Sequence, residues 1–248
     1  MSIGLFNNVA LAEENIWDGW YLGLSYTRSN TRVNANYAHY HSAGCTNLNF
    51  GAEWPGNNCE GNQDYVESIE SHSRSNFPSV FLERLWVNDS FVYGMKLGID
   101  INSGQSLSSH KVLSTTWGDT LDYKIKLKDA MHLNAILGQQ VEDWLPYLGA
   151  GIVFQRINIF MRQDQTRYNL PALQDKSKWI TGTELIVGVK RQFSEDWVAS
   201  AEYSLLKLNA LNEFTTASLK SGGLRYPNTQ ISANADTKLI RISLSRRF

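Results

Sequence analysis

No stretch of this chain strings together the ~18 apolar residues that a membrane-spanning helix needs, so a helical span is excluded, although a membrane is not. Charge bias is missing as well: 23 Lys and Arg stand against 24 Asp and Glu, for a net charge of -1. With no basic helix and no Lys/Arg run, nothing is suited to a nucleic-acid backbone. Helical periodicity does not persist over any long stretch. Proline is scarce, with 5 in 248 residues, and Pro146 stands at the start of a strand-like run, where a missing N–H is tolerated. There are only 2 cysteines, Cys45 and Cys59, close together in one polar segment. The length allows one large β domain or two smaller ones.

What is present is alternation of period two. In GWYLGLSYTRSN, Trp20, Leu22, Leu24 and Tyr26 share one face, opposite Tyr21, Gly23, Ser25 and Thr27. SVFLERLWV and FVYGMKLGID follow as a hairpin about Asn88 to Ser90. A two-residue turn there pairs odd positions with even ones, setting Phe91, Tyr93, Met95 and Leu97 beside Trp86, Arg84, Leu82 and Val80, with Glu83 and Lys96 together on the other face. The pattern continues in YKIKLKDAMHLNAILG, WLPYLGAGIVFQRI, KWITGTELIVGVKRQF, DWVASAEYSLLKL and the terminal TKLIRISLSRRF, making eight strands.

Connections alternate in length. Those around 88–90, 139–143 and 194–196 are tight, whereas 31–75, 101–122, 158–178 and 209–234 read as long loops rich in Asn, Ser, Gly and Gln. A barrel with short periplasmic turns and long extracellular loops has this asymmetry, and a soluble sandwich has no need of it. The aromatics sort by height: Trp20, Trp86, Trp144, Phe193, Trp197 and Phe248 fall near the tight-turn end, as an aromatic belt at one membrane interface does. The expectation is an all-β, eight-stranded antiparallel up-and-down transmembrane β-barrel in a bacterial outer membrane, formed as a single domain by residues 13–248. Residues 1–12 read as the remnant of a signal peptide, with Ala10 and Ala12 in an A-x-A pattern before Glu13 and Glu14.

The segments GWYLGLSYT, LPYLGAGIVF, TGTELIVGVK, DWVASAEYSLL and ISLSRRF, in this order and with these turns, resemble the eight-stranded outer-membrane β-barrel family, which includes the transmembrane domain of outer-membrane protein A and the opacity-type porins. The resemblance covers most of residues 17–248. It implies outer-membrane lipids as surroundings and reading of the terminal strand, through Phe248, by the barrel-assembly machinery. Ile240, Ile242, Leu244 and Phe248 match the family's terminal pattern. Arg246 stands where an aromatic or aliphatic residue is commoner, a position from which arginine can snorkel to the interface.

The lumen of an eight-stranded barrel is just wide enough to be filled by side chains. With the Gly and Ser face inward, Glu83, Lys96, Glu184, Lys190, Glu202 and Arg241 form a lumen ion network. Lys190, Glu202 and Arg241 stand at similar heights, so their charges pair rather than line an ion path. Of His39, His41, His72, His110 and His132, only His132 falls within a predicted strand, as a packed or water-contacting imidazole. Neither a G-x-S-x-G motif nor the H-x-S spacing of deacylase-like barrels occurs, and no catalytic residue, metal or cofactor is assigned. His39, His41, Cys45 and Cys59 fit no familiar zinc spacing, and an exported chain favours a Cys45–Cys59 disulfide. Around these cysteines, Tyr37, Tyr40, Phe50 and Trp54 are mixed with Asn and Gly, a composition suited to contact surfaces and to stacking on sugars.

The function expected from this is a non-enzymatic surface barrel, a structural scaffold that displays loops for adhesion to a host or contact with an envelope protein, with no nucleic-acid partner. Two other readings stay open: an outer-membrane enzyme acting on lipid or peptide, and a lipocalin-like carrier of an apolar ligand. The carrier needs its apolar face inward, whereas Lys190 and Glu202 put a charged face there.

Overall fold

The computed structural model describes residues 16–40, 63–102, 105–114, 119–164, 172–215 and 229–248. They form nine strands: β1 (Gly19–Tyr40), β2 (Gln63–Asn88), β3 (Phe91–Asp100), β4 (Gln105–Ser114), β5 (Asp119–Gln139), β6 (Trp144–Asp164), β7 (Ala172–Gln192), β8 (Trp197–Thr215) and β9 (Thr229–Arg247). Every pairing is antiparallel, and β9 closes on β1 from Tyr21↔Arg247 to His39↔Thr229. β3 and β4 both pair with β5, one above the other, so the nine strands make the eight staves of a closed up-and-down barrel. The break between β3 and β4 lies beside Pro78 of β2, whose carbonyl accepts the Ile101 N–H at 3.0 Å.

Alternation sorts the side chains into two surfaces. Trp20, Leu22, Leu24 and Tyr26 of β1, Leu148, Ile152 and Phe154 of β6, and Ile240, Ile242 and Leu244 of β9 are exposed on the outer wall. An apolar wall of this extent is tolerated only in lipid. The chain is a membrane-spanning β-barrel. At the loop end of the apolar belt, the outward positions change to cations: Arg28 on β1, Arg74 on β2, Lys128 on β5, Arg156 on β6, Lys207 on β8 and Lys238 on β9. From residue 20 to residue 28 the wall climbs about 20 Å, at about 3.3 Å per residue and a tilt of about 40°, close to the hydrocarbon band of such barrels.

The interior is filled in layers. Trp17, Tyr21, Leu85, Val92, Leu145 and Val198 pack at the turn end. A charged layer follows, and above it Val33, Phe77, Leu127, Val153, Ile157, Leu206 and Leu239 belong to a second apolar cluster. β5 carries a bulge between Leu127 and Ala130. The bulge carbonyls of Lys128 and Asp129 accept from Gln155 Nε2 at 2.7 and 3.3 Å, so the irregularity leaves no orphaned acceptors there.

Two sequence-based expectations are corrected. Trp86 pairs with Tyr93, not Phe91, and Leu82 with Leu97: the faces are as expected, but the register lies one pair further on. The cause is the tight turn at Asp89 and Ser90, with Asp89 in the left-handed region at φ 55°, which sets Asn88 opposite Phe91. The stretches 31–75, 101–122, 158–178 and 209–234 are also not all loop. β1 runs to Tyr40, β2 starts at Gln63, β4 lies wholly within 101–122, and β6 to β9 extend similarly. A ladder needs only backbone partners, and above the membrane its outer face has no reason to be apolar, so the apolar alternation ends before the pairing does.

Gly188 makes the lumen packing testable. A Cβ built there would lie 2.5 Å from Cζ of the Tyr147 ring, which crosses the lumen over β7. Gly188→Val should displace that ring and lower the thermal midpoint at which the barrel loses its compact, detergent-resistant gel migration, by an overpacking cost of about 1–3 kcal/mol. An unchanged midpoint would mean that the ring is not packed there.

Candidate functional site

The charged layer is built by inward positions of seven strands. Among the described residues, the buried charged side chains are Glu83 on β2, Lys96 and Asp100 on β3, His132 on β5, Glu184 and Lys190 on β7, Glu202 on β8, and Arg241 on β9. Period two places each of them inside once the neighbouring Gly, Ser and apolar residues have set the face. β6 contributes Tyr147 instead of a charge.

Lys190 Nζ reaches across the lumen to both Glu83 oxygens, at 2.7 and 2.5 Å. Lys96 bonds Glu202 Oε1. The same oxygen accepts from the Tyr147 hydroxyl at 2.5 Å. The rings beneath these ammonium groups add cation–π contacts, with Lys96 Nζ 4.4 Å from the centre of Phe81 and Lys190 Nζ 5.1 Å from that of Tyr147. Arg241 donates to Glu184 Oε1 at 2.6 Å and to Ser204 Oγ at 3.1 Å, and lies 3.5 Å from Asp100 Oδ2.

Where they stand, Lys190, Glu202 and Arg241 do not pair with one another. Glu202 and Arg241 are directly opposite in the β8–β9 ladder, yet each takes its closest partner from a strand that is not its ladder neighbour: Glu202 from β3, Lys190 from β2 and Arg241 from β7. The six charges singled out from sequence thus form three pairs: Glu83–Lys190 and Lys96–Glu202 join opposite staves across the lumen, and Glu184–Arg241 spans β8 between β7 and β9.

Asp100 and His132 are the members that sequence reading missed. His132 Nδ1 lies 2.8 Å from Glu184 Oε2 and Nε2 lies 2.8 Å from Asp100 Oδ2. Its environment is therefore ionic, in place of the packed or water-contacting imidazole expected. A ring that donates an N–H to each of two ionised carboxylates is an imidazolium; Arg241 Nη2 also lies 3.5 and 3.4 Å from Nδ1 and Nε2. The charges then balance: Glu83, Asp100, Glu184 and Glu202 against Lys96, Lys190, Arg241 and His132. The available signal was parity, since Asp100 shares the face of Lys96 on its strand and His132 the face of Asn134, both pointing inward.

His132 is not alone in lying within a strand, since β1, β2 and β4 include His39, His72 and His110. Residues such as Ser29, Ser71 and Ser73 around these positions hide the alternation that marks a strand within the membrane. His72 is exposed and lies 2.8 Å from Glu70 Oε1, outside the barrel. His41, Cys45, Cys59, Phe50 and Trp54, and with them the expected disulfide, lie outside the described residues, as do residues 1–12.

A Ser-Asp-His set does occur, in an order that serves structure. Ser79 Oγ donates to Asp100 Oδ1 at 2.6 Å, and Thr27 Oγ1 is 3.2 Å from Ser79 Oγ. The hydroxyl meets the carboxylate and not the imidazole, and both imidazole nitrogens are committed, so His132 has no lone pair with which to accept a nucleophile's proton. A cavity of about 20 Å³ borders Ser25, Ser79, Lys96, Asp100, His132 and Arg241, room for about one water.

Trp20, Trp144, Phe193, Trp197 and Phe248 are exposed at the turn end, and Trp86 stacks on Tyr93 with ring centres 5.7 Å apart. Backbone bonds from Phe248 N to Trp20 O (3.0 Å) and from Phe193 N to Trp197 O (3.2 Å) set these residues at one level. Arg246, on the same face, reaches Asp196 at 3.4 Å.

No protein-family model matches the chain, and no curated protein does. Among solved structures it is similar to the outer membrane protein OprG from Pseudomonas aeruginosa, at 13% identity over 93% of this chain and 96% of that one, with a TM-score of 0.46. It is also similar to the outer membrane protease OmpT from Escherichia coli, at 7% identity over 92% and 97%, TM-score 0.48. Neisserial surface protein A gives 11% identity over 93% and 98%, TM-score 0.39. At these levels no residue role passes from them to this chain.

Substitutions at Glu202, His132 and Asp100 test the charged layer by chemical or thermal unfolding of the refolded barrel. Glu202→Ala leaves Lys96 and the Tyr147 hydroxyl without their acceptor and should cost about 3–5 kcal/mol, whereas Glu202→Gln keeps an acceptor and should cost less. His132→Leu removes one cation from between two carboxylates and should destabilise by a similar amount, with Asp100→Asn in the same chain restoring part of the loss. Equal midpoints for all variants would show that the layer contributes nothing to stability.

Proposed function

We propose that this chain is a non-enzymatic surface barrel of a bacterial outer membrane, an embedded scaffold whose loop end makes contacts with a host surface or with envelope components. The observation that carries the reading is the filled interior: a neutral, cross-paired ion layer between two packed apolar layers. Such an interior supports neither a water-filled pore nor an apolar ligand site of the lipocalin kind. The commitment of His132 to two carboxylates speaks against hydrolytic chemistry on lipid or peptide.

The short turns at 89–90 and 194–196 lie at one end, and Tyr40 and Gln63, where β1 ends and β2 begins, lie at the opposite one. Within 41–62 the sequence carries Phe50 and Trp54 among Asn and Gly, with His39 and Tyr40 just before it, a composition that serves adhesion. The likeness of the terminal strand to the outer-membrane family supports recognition of Phe248 by the barrel-assembly machinery, with membrane lipids as the surroundings of the wall.

An epitope tag placed within 41–62 should be detected by antibody on intact cells, and one in the Asp89–Ser90 turn only after permeabilisation; the reverse would invert the orientation. Cells carrying the wild type should adhere to a host-cell monolayer several-fold better than cells in which a Gly/Ser linker replaces 41–62. Equal adhesion would remove the adhesion part of the reading. In planar bilayers the protein should conduct near background, and sustained ohmic conductance would contradict the sealed interior.

A further inference from the structure

Register brings three cations together on the outer wall just above the apolar belt. Asn30 of β1 is directly opposite Arg74 of β2 and, on its other side, Lys238 of β9. Arg28 lies two residues below Asn30 on the same face. Directly opposite side chains have Cβ atoms about 5 Å apart and diagonal neighbours about 7–8 Å, so three long cationic side chains surround one short amide. All four residues are exposed.

Among the described residues, Arg28, Arg74 and Lys238 have no carboxylate partner and no hydrogen-bond acceptor. The neighbouring Arg32 differs: its Nε and Nη2 are each 2.7 Å from a Glu70 oxygen, and the exposed Asp236, two residues from Lys238 on the same face, stands opposite Arg32 on one side and Lys207 on the other. Cations near the turn end are also engaged, Arg84 with Asp18 at 2.8 Å and Arg246 with Asp196 at 3.4 Å. Tyr26 and Ile240 lie immediately below the cluster on the lipid-facing wall. A partner of this surface must therefore meet apolar wall and unpaired cations within one side-chain length.

We infer that Arg28, Arg74 and Lys238 bind the phosphate of an anionic lipid headgroup, with Asn30 as an additional donor and the lipid's acyl chains lying on the belt below. Two arginine forks offer paired N–H groups suited to phosphate oxygens, and Lys238 adds a point charge. The inference rests on the membrane span and not on the adhesion reading. It adds to the scaffold a defined lipid site on one side of the wall, across β2, β1 and β9.

The test is native mass spectrometry of the refolded barrel in dodecyl maltoside, titrated with phosphatidylglycerol, phosphatidylcholine of the same chains, or inorganic phosphate. The wild type should retain phosphatidylglycerol at least ten-fold more tightly than phosphatidylcholine, and inorganic phosphate should bind far more weakly than either. Each cation near a charged membrane surface contributes about five-fold, so Arg28→Gln/Arg74→Gln/Lys238→Gln should lose on the order of 100-fold and the preference with it. Arg246→Gln, at the other end, should leave the preference intact. The single variants Arg74→Gln and Lys238→Gln, at about five-fold each, carry the same test should the triple variant not refold. An unchanged preference in these variants overturns the site, as does an equal loss in Arg246→Gln. Inorganic phosphate binding as tightly as phosphatidylglycerol overturns the lipid assignment. Failure of the membrane span would appear separately, as a protein with no detergent-resistant compact form on unheated gels.

Discussion

Closure of β9 on β1 is the constraint from which the rest of the structure follows. In hydrocarbon, an unpaired backbone N–H or C=O costs several kcal/mol, so a sheet within it can have no open edge. The ladder from Tyr21↔Arg247 to His39↔Thr229 removes that edge. Closing eight staves also fixes the lumen at a width that side chains fill, so every inward residue must be either packed or paired with something across the way.

The interior meets that requirement by neutrality. Four carboxylates and four cations occupy one layer with apolar clusters above and below, where little water is available to screen an unmatched charge. The histidine is part of the balance because its two nitrogens bridge carboxylates from two different strands, Asp100 of β3 and Glu184 of β7. The same commitments that neutralise the layer leave His132 unavailable as a base. The pairing that stabilises this layer and the want of a free base at His132 thus have one physical origin.

The outer wall obeys a different solvent. Its apolar belt is bounded by aromatics at the turn end and by outward cations at the loop end, as a slab of hydrocarbon between two polar interfaces demands. At the turn end the cations have acidic partners or aromatic rings, as with Arg84 on Asp18 and Trp86, or Arg191 over Trp144. Among the described residues, Arg28, Arg74 and Lys238 around Asn30 have neither, which makes that part of the wall chemically distinct.

The barrel was legible in the sequence because its two faces meet two different solvents. Alternation in GWYLGLSYT or DWVASAEYSLL records which side chain meets lipid and which meets the lumen, and the tight turns record where the chain reverses. Parity alone put Glu83, Lys96, Glu184, Lys190, Glu202 and Arg241 on the inner face. Tertiary structure decided the rest. The length of the staves was hidden because a ladder above the membrane needs backbone partners and no apolar face. The partners of each charge were hidden because strand register sets adjacency along the wall, whereas a lysine or arginine reaches past its ladder neighbours: Glu202 lies opposite Arg241 in the ladder and bonds Lys96. The meeting of Arg28, Arg74 and Lys238 was hidden for the same reason, since only the pairing of β1 with both β2 and β9 brings residues 28, 74 and 238 around one asparagine.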